Sequence, residues 1–175
     1  MWRGTRARLV AGVAVIAALS PAVSAQADVE RFRDARGDAG SSVDILRVRV
    51  DNSTFDRGKV IVAVQQKNVR LGDSITIYFD TRRHDRGPEY SISAFVDSEY
   101  VMNRHEFWGR VGRPVPFECG YRLRIRDDRS RAVVPRRCLG SPDEIRVAVK
   151  AVRTRPATSR DWARDRRTWL GWVAR

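Results

Sequence analysis

Reactive side chains are scarce in this sequence. Its 175 residues hold two histidines, two cysteines and two methionines, and contain no G-x-S-x-G turn or H-E-x-x-H pair to organise a nucleophile or a zinc ion. A hydrolytic triad needs a base held beside a nucleophile. The histidines are His84, inside an arginine-rich stretch, and His105, whose neighbour Glu106 would point away from it on a strand. Two cysteines cannot complete a metal site by themselves, and methionine and histidine are not paired as haem ligands would be. The reading is of no catalytic residue, no metal ligand and no cofactor. Paired carboxylates of a glycosidase converge in space and leave no trace in a sequence, so an envelope-polymer hydrolase remains the alternative. Lysine is also sparse, at positions 59, 67 and 150 only, which makes the basic charge almost entirely arginine. One long apolar run occurs, Leu9 to Leu19, short of the ~20 residues of a spanning helix.

What surrounds that run gives it a meaning. Arg3, Arg6 and Arg8 precede it and small residues follow, the layout of a secretory signal. Ala25-Gln26-Ala27 fits cleavage before Asp28, and Val23-Ser24-Ala25 would serve two residues earlier. The expected organisation is a signal peptide over 1–27, a flexible charged lead-in over 28–42 and one domain over 43–175. The mature chain is expected to be secreted, monomeric and without a transmembrane segment. Removing three arginines and no acids takes the formal charge from +13 to +10. Export argues against nucleic acid as the partner and favours an acidic cell-envelope polymer or polysaccharide. In an oxidising compartment Cys119 and Cys138 should pair, each being the other's only partner.

From residue 43 the apolar pattern has period two, with turn signals between short runs. Leu46, Val48 and Val50 alternate with Arg47 and Arg49; Ile75, Ile77 and Phe79 alternate with Ser74, Thr76 and Tyr78. Tyr90, Ile92 and Ala94 share a face, as do Ile145, Val147 and Val149. About eight such strands predict an all-β fold, an antiparallel, jelly-roll-like β-sandwich with one disulfide.

The segment from Cys119 to Cys138 is centred between Asp128 and Arg129, so a symmetric hairpin turning there would set the cysteines opposite each other. Leu123 and Ile125 would then face inward with Ala132 and Val134, and Arg122, Arg124 and Arg126 outward with Arg131. If the next strand pairs with this hairpin, Arg146 and Lys150 extend the outward face. Arg122, Arg124, Arg126, Arg146 and Lys150 are therefore the expected ligand-binding residues, a rigid grid of donors for carboxylates or phosphates.

At YFDTR followed by GPEY, and at YRLRI followed by VPRRCLGSPDEIRVAV, the sequence resembles secreted actinobacterial proteins built of a signal peptide and one such domain. More distantly, its strand layout is similar to family 9 carbohydrate-binding modules and DOMON-type jelly rolls. The resemblance implies an architecture and carries over no site.

Two features remain open. In YFDTRRHDRGPEYSI the acids Asp80, Asp85 and Glu89 alternate with Arg82, Arg83 and Arg86, which suits a hairpin loop better than a calcium loop or a catalytic cluster. Trp108, Trp162, Trp169 and Trp172 could be platforms for sugar rings, but a small domain needs large side chains inside, and at least two are expected in the core. The leading expectation is a non-catalytic binding module. A hydrolase, or a protein-interaction or inhibitor module, is the alternative.

Overall fold

A computed structural model describes residues 29–40, 43–53, 58–156 and 158–175. The signal segment expected over 1–27 lies outside these residues. The strands are β1 (Val29–Arg33), β2 (Asp44–Asp51), β3 (Lys59–Lys67), β4 (Ser74–Asp80), β5 (Tyr90–Phe95), β6 (Tyr100–Phe107), β7 (Arg110–Pro114), β8 (Arg122–Arg126), β9 (Arg129–Pro135), β10 (Glu144–Arg153), β11 (Ser159–Trp162) and β12 (Val173–Ala174). They form two sheets, in the orders β1-β2-β3-β9-β8 and β11-β10-β4-β5-β6-β7, with β12 also pairing with β10. All pairings are antiparallel. The expected all-β sandwich is what the chain forms. Among the described residues no helix is long and apolar enough to cross a membrane.

Alternation decides which face is buried. Val48, Val50, Val62, Val64, Leu123, Ala132 and Val134 of the five-stranded sheet meet Ile75, Ile77, Phe79, Ile92, Met102, Ile145, Val147 and Val149 of the other in one core. Two buried polar clamps tie loops to this core. Arg153 donates to both carboxylate oxygens of Asp73, at 3.0 and 2.7 Å. Arg136 donates to the side-chain and main-chain oxygens of Asn52, each at 2.6 Å, and Asn52 donates onward to the Val173 carbonyl at 2.9 Å.

Four expectations need correction. Val29–Arg33, inside the expected flexible lead-in, form β1 and pair with β2 along its length; Phe32 lies against the core opposite Val48 and draws the segment down. The hairpin of β8 and β9 turns at Asp127-Asp128, pairing Arg126 with Arg129, rather than between Asp128 and Arg129. Asp127 takes the left-handed conformation (φ 36°) that a tight turn requires and that aspartate tolerates. The disulfide joins Cys119 to Cys138 as expected, yet the cysteines stand outside the ladder, in 3-10 turns at Phe117–Cys119 and Arg136–Leu139 that follow Pro116 and Pro135. Because the register moves by one residue on each strand, every side chain keeps its expected face. Finally, β10 does not pair with β9. The chain crosses after Leu139 to the other sheet, where β10 lies between β4 and β11.

Candidate anion-binding faces

The crossing splits the expected donor grid. Arg122, Arg124 and Arg126 stay on the outer face of the five-stranded sheet; Arg146 and Lys150 lie on the outer face of the seven-stranded sheet, across the core. Arg146 is already paired, and Lys150 stands among aromatic rings. Arg146 pairs with the fully buried carboxylate of Asp80 at 2.6 Å and lies over Trp169 and Trp172, 5.2 and 4.7 Å from their ring centres. The Lys150 ammonium stands 5.7 Å from the Tyr78 ring and 5.8 Å from that of Trp162.

The five-stranded sheet more than makes up the loss. Its pairings align Arg31, Arg49, Ala63, Arg131 and Arg124 in one row across the strands, and Arg33, Arg47, Gln65, Arg129 and Arg126 in the next. Neighbouring strands are about 4.8 Å apart and alternate residues about 6.8 Å, so eight guanidinium groups tile a patch about 19 Å wide. No acid occupies either row. Arg49 pairs with Asp51 at 2.6 Å in the adjoining row, and Arg129 is 3.6 Å from Asp128 at the hairpin tip. Among the described residues Arg31, Arg33, Arg47, Arg124, Arg126 and Arg131 have no ion-pair partner.

The tiling is not uniform. β3 contributes Ala63 and Gln65 where its neighbours contribute arginine, leaving a groove of about 290 Å³ floored by Ala63 and walled by Arg47 and Arg49 on one side and Arg129 and Arg131 on the other. Two arginine quartets thus flank a low strand. A second depression of about 400 Å³ opens beside Lys59, Arg122 and Arg124. The sequence does carry the signal for the wider patch: RFR, RVR, RLRIR and RSR each place arginine at period two. Arg31, Arg33, Arg47 and Arg49 join the expected face because β1 and β2 belong to the same sheet as the hairpin, and Arg129 because the turn at Asp127-Asp128 leaves it in β9.

The acid-rich stretch at 80–89 is the β4–β5 connection. Asp80 is taken by Arg146, Asp85 by Arg82 at 3.1 Å, and Arg83 pairs with Glu144. Glu89 accepts hydrogen bonds from the Thr81 amide at 2.6 Å and hydroxyl at 3.1 Å, while its burial pushes the carboxyl above the ordinary glutamate range. Gly87 (φ 112°) packs so closely that a Cβ there would lie 3.0 Å from the Trp108 nitrogen. The acids of this stretch are taken by Arg146 of β10, Arg82 and Thr81, and the carboxylates that do gather are elsewhere. Asp34, Asp38 and Asp161 bring one oxygen each within 4.8 Å of one another, the kind of grouping that holds a cation. Asp161 is buried and accepts the Ile45 amide at 2.6 Å, and Asp34 accepts that of Arg164 at 2.8 Å. Burial, with the nearby Asp34 and Asp38 charges adding to it, raises the Asp161 carboxyl to about 6.

Ser91 and His105 meet across β5 and β6, Oγ to Nε2 at 2.8 Å, a contact that the sequence does not signal because the residues are fourteen apart. Ser91 is buried, and the His105 Nδ1 atom is enclosed without a partner, so no acid orients the ring. Burial pulls the imidazole pKa below its ordinary value.

All four tryptophans of the domain avoid the core and stand half-buried on the outer face of the seven-stranded sheet, contrary to the expectation for at least two of them. Trp162 stacks on Tyr78 (ring centres 5.8 Å apart), Trp108 contacts both, and Trp169 meets Trp108 at 4.8 Å. Aliphatic residues, with Phe79, Tyr90 and Tyr121, fill the space between the sheets, and the indoles cover the strands from outside. The chain matches no protein-family model, no curated protein and no solved structure.

Proposed function

We propose that this protein is a secreted, non-catalytic β-sandwich that binds an anionic extracellular polymer, a cell-wall polymer or an acidic polysaccharide, on the outer face of its five-stranded sheet. The observation that carries this reading is the pair of acid-free rows, each with four arginines. Arginine is always ionised and forks onto carboxylate, sulfate or phosphate oxygens. Mounted on a paired sheet, the arginine Cα positions are already spaced, so binding orders only the side chains, at about 0.5–1.5 kcal/mol each. The groove over β3 suits an extended chain whose charges are met from both sides. Export is supported by the signal-like N-terminus and by the disulfide.

A binding role is favoured over hydrolysis by the state of the Ser91–His105 pair, whose serine is closed to a substrate. The test is retention of the purified protein on heparin-like, cell-wall and neutral supports at low salt. Retention on the two acidic supports, shifted to lower eluting salt by Arg124→Glu with Arg131→Glu, is the expected outcome. Equal retention on all three supports would sink the proposal.

A further inference from the structure

The opposite sheet carries a second, different constellation. Ala163 and Leu170 donate their amides to Val149 and Val147 of β10, at 3.0 and 2.9 Å, and both side chains are buried. The chain between these anchors arches over the outer face of the seven-stranded sheet. Arg164 (φ 70°) and Arg167 (φ 59°) both take the left-handed conformation that residues other than glycine seldom adopt, and the facing turn holds Gly109 at φ 86°. Under the arch lies a pocket of about 530 Å³, within the range of small-ligand sites. Its walls are the rings of Tyr78, Trp108 and Trp162; its charges are Lys150, Arg160, Arg166 and Arg167, and among the described residues no acid lines it. Arg167 caps Trp108, 5.8 Å from the ring centre.

We propose that this pocket is a binding site for a sugar ring bearing an anionic group, such as a uronate unit. Electron-rich ring faces attract cations and polarised C–H bonds. Four positive charges exclude a cation, leaving the C–H face of a pyranose as the complement to Trp162, which Tyr78 backs by stacking. A neutral sugar would leave the guanidinium groups unanswered, whereas a carboxylate engages them as a fork and ring hydroxyls take the remaining N–H donors. The site is separate from the arginine rows, because the core lies between the two outer faces.

The experiment follows the indole N–H resonances of the disulfide-bonded protein during titration with a glucuronic acid trisaccharide, maltotriose, benzoate and acetate. The expected result is a shift with the acidic trisaccharide and binding at least about tenfold weaker with the other three. Arg167→Gly preserves the left-handed turn while deleting the cation, and Arg160→Ala alters an exposed side chain; each should weaken acidic-trisaccharide binding about tenfold. Arg124→Glu with Arg131→Glu, on the other sheet, should leave this titration unchanged while lowering the salt at which the protein elutes from acidic supports. Failure of one site is thereby distinguished from failure of the other. Indole resonances unmoved by the acidic trisaccharide, maltotriose or benzoate binding as tightly as it does, or full affinity in Arg167→Gly would each overturn the proposal.

Discussion

If both arginine quartets grip one polyanion, the salt dependence of binding should count them. Each neutralised charge contributes a slope of about 0.7 to 0.9 in log K against log salt, by counterion release. For all eight arginines, raising salt from about 50 to 200 mM should lower affinity about 2,000- to 20,000-fold. Replacing Arg31, Arg33, Arg47 and Arg49 with glutamine halves the count, and the same interval should then cost only about 50- to 150-fold. Replacing Arg124, Arg126, Arg129 and Arg131 should do the same, since the quartets face each other symmetrically across β3. The side chains point away from the core; the Arg129–Asp128 pair is an exposed one worth less than about 1 kcal/mol, and loss of Arg49 leaves the Asp51 carboxylate still held by the Ser53 amide and hydroxyl. Both variants should therefore fold, as circular dichroism would verify. Affinity for heparin or purified wall polymer, measured by calorimetry across salt, supplies the slopes. An unchanged slope in either variant, or one quartet carrying the whole effect, would refute the two-sided grip.

Three further outcomes concern stability. Replacing Cys119 and Cys138 with serine opens a closed loop spanning a separation of 19 residues, which should cost about 3 kcal/mol and lower Tm by about 6–12 °C in a calorimetric scan. A fall under about 2 °C would contradict the loop argument. Asp73→Asn strips the buried Arg153 of its carboxylate and should destabilise by about 3–5 kcal/mol in urea titration, far more than loss of an exposed pair such as Arg82–Asp85. Asp161 behaves in the opposite sense to a salt-bridged acid. With its folded pKa raised to about 6, the folded state keeps a proton that the unfolded state releases near 4. Stability from this group is present at low pH, falls by up to about 3 kcal/mol as pH rises from about 4 to 6, and is level above that. Asp161→Asn should flatten that fall, and a pH–Tm profile unaltered by the substitution would exclude the group as its source.

Much of this molecule follows from local pattern. Period-two alternation marks β4, β5, β8, β9 and β10 and the face each buries, because a strand half in contact with a core must alternate, whereas in β2 a bulge between Ile45 and Arg47 buries Ile45 in place of the expected Leu46. The pairing of Cys119 with Cys138 follows from there being no third thiol. Even the misplaced hairpin turn did no damage to the faces, since a shift of one residue on both strands preserves parity. What alternation cannot state is which strand lies beside which, and the functional surfaces depend on that. Arg146 and Lys150 read as a continuation of the arginine hairpin until the crossover after Leu139 carries β10 to the other sheet, where they serve the aromatic cluster. Arg31, Arg33, Arg47 and Arg49 join Arg124, Arg126, Arg129 and Arg131 only because β1 to β3 and the β8–β9 hairpin share one sheet. The tryptophans are equally silent in sequence: an indole suits a core or a sheet's outer face, and the arch between Ala163 and Leu170 settles the matter by holding Trp169 outside. Residue type and spacing thus determine the strands and their inward faces, through short-range geometry. Long-range pairing alone decides which charges and rings become neighbours.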